Sequence, residues 1–181
     1  MNVVQTAIPD VLMIEPRVFG DARGFFLEGY NARGFRQATG LSVDFVQDNQ
    51  SRSRRGVLRG LHYQLRQAQG KLVSVVCGAV FDVAVDIRRS SRGFGQWVGV
   101  ELSEDNHRQL WLPPGIAHGF LVLSERVDVL YKTTDYYAPE HERVILWNDP
   151  NIDIEWPLAG EPLLSPKDRA GLPLKQAECF P

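Results

Sequence analysis

Short runs of alternating apolar and polar residues dominate the chain, and they predict strands rather than helices. Lys71 to Cys77 reads Lys-Leu-Val-Ser-Val-Val-Cys, a β-branched run broken by Gly78. From Val80 to Ile87 the alternation is complete. Phe81, Val83, Val85 and Ile87 point one way, and Val80, Asp82, Ala84 and Asp86 the other, because successive strand side chains take opposite faces. Trp97 to Leu102, Gln109 to Leu112, Gly119 to Leu123 and Val127 to Thr133 read as further short strands. Turn-forming clusters separate them at Ser90-Ser91-Arg92-Gly93, Ser103-Glu104-Asp105-Asn106 and Pro113-Pro114-Gly115,. Many short strands at this spacing predict an all-β sandwich or barrel. Helix signals are few. Asn31 caps a predicted short helix that stops at Gly40. Ser165-Pro166-Lys167-Asp168 has the cap, first-turn proline and third-position acid of a second helix start. The tail, rich in proline and polar residues, is expected to be irregular and to lie over the barrel.

The chain has 181 residues, enough for one domain over 1–181 that buries its own core,. Its net charge of -2 argues against bulk affinity for nucleic acid or an anionic membrane,. The N-terminus lacks the basic start and apolar run of a secretory signal, and no later stretch is apolar enough to span a bilayer. A cytoplasmic protein is expected, with Cys77 and Cys179 as reduced thiols.

Two of the four histidines stand in notable settings. His118 follows Trp-Leu-Pro-Pro-Gly-Ile-Ala, a turn entering an apolar strand that resembles the second motif of the cupin superfamily. The first cupin motif supplies His-x-His and then Glu. Here the region reads His62-Tyr63-Gln64-Leu65-Arg66-Gln67-Ala68-Gln69-Gly70, so Gln64 takes the place of the second histidine and no Glu follows. A zinc or other transition-metal site wants three or more N, O or S ligands. Only His62 and His118 remain, so no metal is expected. That moves His62 from ligand to candidate for proton transfer, since a neutral imidazole accepts a proton near cellular pH.

Taken alone, His62 reads as a structural histidine satisfied by the backbone. Its neighbours change that. Arg59, His62, Tyr63, Gln64 and Lys71 place many polar groups inside a strand pattern, and a core does not select these without a ligand to satisfy them. His118 shares strand parity with Phe120 and Val122, which suits a cavity wall. Tyr131 shares parity with Val127 and Val129 and is expected to face inward, as a packed phenol or as a general acid. Tyr137, past the strand end, offers a flat face for a nucleobase or simply packs. Arginines crowd the first third: Arg17, Arg23, Arg52, Arg54, Arg55 and Arg59. A solvated surface is the better reading for Arg52, Arg54 and Arg55. A diphosphate needs a few well-placed arginines, and with no Gly-rich phosphate loop it must be held by side chains.

Taken in order, the segments Pro16–Glu28, Phe45–Asn49, Gly56–Gln64, Gln69–Val73, Phe81–Asp86, Pro114–Phe120, Tyr131–Thr134 and Trp147–Pro150 are specific. From about Ala7 to Lys175 the chain resembles the dTDP-4-dehydrorhamnose 3,5-epimerase family, whose enzymes serve dTDP-L-rhamnose synthesis. The resemblance implies a homodimeric cupin-type double-sheet barrel, or jelly roll, with a few short helices and no metal or organic cofactor. It implies a dTDP-sugar substrate, dTDP-4-dehydro-6-deoxy-D-glucose. It makes His62 the proton acceptor, Tyr131 the proton donor, Asp168 the carboxylate paired with the histidine, and Lys71 the cation beside the sugar ketone. Arg23, Glu28, Gln47, Asn49, Arg59, His118, Glu142 and Lys167 take substrate-binding positions, and Tyr137 the thymine-stacking one. The local sequence explains Asp168 equally well as a capping residue, and Asp82 and Asp86 are rival partners for His62.

The chemistry suits these residue types. A ketone at C4 acidifies the hydrogens on C3 and C5, a base removes one, and the enolate oxygen needs a nearby cation. Inversion needs a proton delivered from the opposite face. An epimerase acting at C3 or C5 only, or a ketoisomerase, is the alternative on the same scaffold. A non-catalytic sugar-nucleotide binder would need neither His62 nor Lys71, and a metal-dependent oxygenase lacks ligands.

Overall fold

The computed structural model describes residues 1–181. The strands that alternation marks do form, and strands that it does not mark join them. In chain order they are β1 (Asn2–Gln5), β2 (Leu12–Glu15), β3 (Val18–Asp21), β4 (Gly24–Leu27), β5 (Gln47–Arg54), β6 (Leu58–Gln64), β7 (Lys71–Cys77), β8 (Ala79–Asp86), β9 (Trp97–Ser103), β10 (Gln109–Leu112), β11 (Ile116–Val122), β12 (Arg126–Thr133) and β13 (Glu142–Val144). One sheet runs β1-β2-β10-β7-β12-β5 and the other β13-β6-β11-β8-β9, while β3 and β4 make a separate hairpin. All neighbouring strands within the sheets are antiparallel. The result is the expected double-sheet barrel of the cupin type.

The main core lies between the sheets. Val73, Val75, Leu110, Leu112, Val127 and Val129 from the first meet Val80, Ala84, Leu102, Ile116, Phe120 and Val122 from the second. Fully burying one such aliphatic side chain is worth about 1.5–3 kcal/mol, so this cluster is the main source of stability.

The alternation of β8 separates two environments. Val80 and Ala84 face the core between the sheets, and Asp82 shares their parity. Phe81, Val83, Val85 and Ile87 face outward into a second apolar cluster. That outer face is covered by the tail, through Ile152, Ile154, Trp156, Leu174, Ala177, Cys179 and Phe180. The more apolar side of β8 is therefore the outside of the barrel.

The tail is tied down by isolated bridges, Val57 to Leu163, Ile145 to Leu172 and Arg88 to Phe180. Buried Asp149 reinforces them by accepting from the backbone N–H groups of Asn151 and Leu174 at 2.9 and 2.6 Å. Both predicted helices form. Helix α1 (Ala32–Thr39) is capped by Asn31 and ends at left-handed Gly40. Its Phe35 packs on Leu12, Ile14, Leu72 and Trp111 on the outside of the larger sheet. Helix α2 (Pro166–Arg169) is a single turn capped by Ser165. No helix is long and apolar enough to cross a membrane.

Candidate active site

The two sheets diverge around a cavity of about 690 Å3. Strand parity decides what lines it. On β5, Gln47, Asn49 and Ser51 turn inward while Asp48, Gln50 and Arg52 stay exposed. β6 contributes Arg59 and His62, β7 Lys71, β11 His118, β12 Tyr131 and β13 Glu142, and Tyr137, Lys167 and Asp168 close the rim. β6 and β11 approach unusually closely where Gly60 faces Gly119. A Cβ on Gly60 would lie 2.6 Å from Gly119 Cα, and its φ of +115° already favours glycine,. The pairing register also shifts between His118 and Phe120.

His62 is held between two carboxylates. Its Nε2 donates to Asp168 Oδ1 at 2.7 Å, and its Nδ1 lies 3.1 Å from Glu142 Oε1. Burial by itself disfavours the imidazolium, but the hydrogen bonds to Asp168 and Glu142 outweigh it and hold the His62 pKa above its ordinary value,. Asp168 is 3 % exposed. Burial pushes its pKa up, yet bonds from His62, Ser165 and the Gly60 N–H prevail and bring it down to about 2. Glu142 is also brought down to about 2, first by His62 and then by Lys167. Its other oxygen accepts from the Tyr137 hydroxyl at 3.0 Å and from Lys167 Nζ.

Asp168 therefore performs both tasks the sequence offers it. Its Oδ2 serves the helix cap and its Oδ1 meets His62. The rival aspartates are engaged elsewhere. Asp82 accepts from His118 Nε2 at 3.0 Å through both oxygens. Asp86 accepts from Arg88 and Ser91.

Lys71 is buried on the same cavity, with Nζ 3.4 Å from the His62 carbonyl oxygen. Burial lowers its pKa to about 8, against the opposing pull of Glu142 and Asp82. A desolvated ammonium of this kind is strongly attracted to a developing oxyanion. Tyr131 projects from the opposite sheet to His62, and burial raises its pKa while Arg59 opposes the rise. Gln64, where the cupin pattern has a histidine, latches the rim instead. It donates to the carbonyls of Gln67 and Tyr136 and accepts from the Ala138 N–H.

All the residues to which the resemblance gives a catalytic or substrate-binding place line the cavity except Arg23 and Glu28. Those two belong to the β3–β4 hairpin region. Arg23 pairs with Asp21, and Glu28 accepts from Asn31. One reading needs correction. Arg54 was expected on a plain solvated surface, but it is exposed at the cavity wall, because β5 ends there. Arg52 behaves as expected, exposed and paired with Asp128. Other lining groups went unmarked. Ser165 reads as a helix cap, and Ser51 lies in a polar run without alternation. The Ser51 hydroxyl is buried with no protein partner, a free hydrogen-bonding group facing the cavity.

Comparison with known proteins fits this geometry. The family model described as dTDP-4-dehydrorhamnose 3,5-epimerase matches residues 5–176. A Pseudomonas aeruginosa protein named dTDP-4-dehydrorhamnose 3,5-epimerase is 65 % identical over 181 residues, all of both chains. One of the same name from Shigella flexneri is 59 % identical over 99 % of both. Among solved structures, a dTDP-6-deoxy-D-glucose-3,5-epimerase from Legionella pneumophila Philadelphia 1, in complex with dTDP-4-keto-L-rhamnose, superposes with a TM-score of 0.96. It is 55 % identical, and the match covers 98 % of this chain and 94 % of that one. The chain belongs to the dTDP-4-dehydrorhamnose 3,5-epimerase family.

Proposed function

We propose that this epimerase inverts C3 and C5 of dTDP-4-dehydro-6-deoxy-D-glucose through enolates, giving dTDP-4-dehydro-L-rhamnose, with His62 as base and Tyr131 as acid. The observation that carries the assignment is their placement on opposing sheets of one cavity, His62 on β6 and Tyr131 on β12. A proton taken from one side of the sugar ring can then be replaced from the other.

Ionised Asp168 only accepts, so it holds a proton on His62 Nε2; ionised Glu142 does the same at Nδ1 in the resting site, and Nδ1 becomes the accepting nitrogen once its proton is lost and Glu142 gives way to substrate,. Glu142 lies within 3.1 Å of that nitrogen, so the sugar carbon must take the place of Glu142 beside it. Removal of the C3 or C5 proton puts negative charge on the C4 oxygen, where Lys71 stabilises it. Asp168 stabilises the imidazolium, as the carboxylate does in a hydrolase triad. The Tyr131 phenol then protonates the carbanion from the far side. Arg59 and Lys167 suit the diphosphate, and Tyr137, half-exposed at the rim, suits the thymine face.

Incubation of chelator-treated protein with the 4-keto sugar nucleotide in deuterium oxide tests this. Deuterium is expected at both C3 and C5. Label at one carbon only would point to a mono-epimerase, and no label would end the catalytic reading. Tyr131→Phe is expected to keep exchange within about tenfold of wild type while formation of inverted product falls by about 10²-fold, within the range for loss of one general acid. Equal loss of both would remove Tyr131 from the acid role.

The reading includes a homodimer. The β3–β4 hairpin exposes Phe19, Phe25 and Phe26 at 49 %, 62 % and 66 %, an apolar surface that suits a partner. It also carries Arg23, and Glu28 follows it, so a second copy is the natural place for these two residues to act. Light scattering at assay concentration is expected to give twice the chain mass. A monomer that turns over normally would refute the dimer and the reach of the hairpin together.

A further inference from the structure

We propose that Ser165 is a positioning residue for the proton transfer, its hydroxyl fixing the Asp168 carboxylate so that one oxygen stays on His62. The inference rests on the reading of His62 as the base.

The argument begins with the capping box at the start of α2. A capping box requires two bonds: the cap hydroxyl accepts from the N–H three residues on, and the acid at that position accepts from the cap N–H. Both are present, Asp168 N–H to Ser165 Oγ at 3.2 Å and Ser165 N–H to Asp168 Oδ2 at 3.3 Å. A third bond is not part of the motif. The Ser165 hydroxyl donates to Asp168 Oδ2 at 2.6 Å, shorter than either. The acid of a capping box is ordinarily a surface group, whereas this one is 3 % exposed.

The other carboxylate oxygen is engaged across the molecule. Asp168 Oδ1 accepts from His62 Nε2 at 2.7 Å and from the Gly60 N–H at 3.1 Å. A carboxylate offers about four lone-pair sites, and all are taken, two from the tail and two from β6. The group cannot turn about its Cβ–Cγ bond without losing partners on both sides. Ser165 is thus the tail-side clamp and Gly60 the strand-side clamp of the bond that orients the base. Because Ser165 acts through Asp168, it should influence the chemical step and leave substrate affinity alone.

The test compares purified full-length Ser165→Ala and Ser165→Thr with wild type, by steady-state kinetics, melting temperature and proton NMR of the imidazole N–H region. Ser165→Ala is expected to lower kcat by about tenfold with KM unchanged, a loss typical of partners behind a functional histidine. It should also broaden the low-field His62 N–H signal. Ser165→Thr, which keeps the hydroxyl, should restore both. Should Ser165→Ala fold poorly, Ser165→Gly serves instead, since glycine is tolerated at a cap. A wild-type kcat in the hydroxyl-free variant would overturn the proposal. So would a loss that follows the melting temperature or KM and is not restored by threonine. His62→Asn run in parallel separates the two readings: retained exchange there would remove the base assignment itself, whereas inactive His62→Asn beside fully active Ser165→Ala would remove only the role of Ser165.

Discussion

His62→Asn is expected to stop deuterium exchange at both C3 and C5, lowering it by about 10³-fold or more, while nucleotide binding stays near wild type. Asparagine is shorter: its amide occupies the place of Nδ1 and Cδ2 and does not reach that of Nε2, so the bond to Asp168 Oδ1 is lost with the base. The amide cannot accept the sugar proton. General-base catalysis contributes about 10²–10⁴-fold, and in the proposed mechanism the base also sets up the enolate that Lys71 stabilises, so the loss belongs at the upper end. On the proposed reading the nucleotide is gripped from the rim, by Tyr137 and the neighbouring cations, and should not register the change. The wild-type pH profile carries the same signature. Protonated His62 cannot accept a proton, and the flanking carboxylates hold its pKa above the ordinary histidine value. The acid limb of kcat/KM, which reports the free enzyme, should therefore lie to the alkaline side of an ordinary histidine. Normal exchange in His62→Asn would place the base elsewhere.

Asp168→Asn should lower kcat by about 10³–10⁴-fold, the upper figure being the loss seen when a triad aspartate becomes asparagine. An amide has almost the shape of the carboxylate, but it carries no charge to stabilise the imidazolium. The same variant has a consequence for stability. The Asp168 pKa is brought down to about 2 in the folded protein, against about 4 for a free aspartate. A depressed carboxylate contributes stability above its unfolded pKa, and that contribution is lost as the pH falls through the folded value. Wild type should therefore lose this part of its stability between about pH 4 and pH 2. Asp168→Asn should lack it at neutral pH and show a flatter melting curve across that acid window. Full activity in Asp168→Asn would show that His62 needs no charged partner.

The strands around the main core were legible because their inner faces are apolar. β7, β8, β10 and β12 carry Val and Leu at inward positions, and alternation exposes them. β5 was not legible, since it reads Gln-Asp-Asn-Gln-Ser-Arg-Ser-Arg. Its inner face lines a polar cavity, so neither side carries an apolar signal. The hairpin β3–β4 was missed for a related reason: nearly all of it is exposed in this chain, and no burial pattern marks it. Asp82 shows the converse. It was a rival partner for His62 in the sequence, and it is the residue that holds His118. The carboxylate partner of His62 was the question that local sequence could not close. Ser165 and Asp168 satisfy the rules for a helix start whether or not a histidine approaches from more than 100 residues away,. Only the tertiary path of the tail distinguishes them.

That path has a bearing on how the molecule comes into being. His62 leaves the ribosome on β6, and the remaining barrel strands follow by Val144. The carboxylate that orients it arrives 106 residues later, on a segment seated by the bridges from Val57 to Leu163 and from Ile145 to Leu172. A nascent chain can thus own its complete barrel, with Lys71 and Tyr131 in place, and still hold an unoriented histidine. In the proposed mechanism, competence for proton abstraction is conferred after the barrel strands are made, by the same stretch of chain that seals the outer apolar face. The segment that hides the barrel from aggregation is the one that arms it.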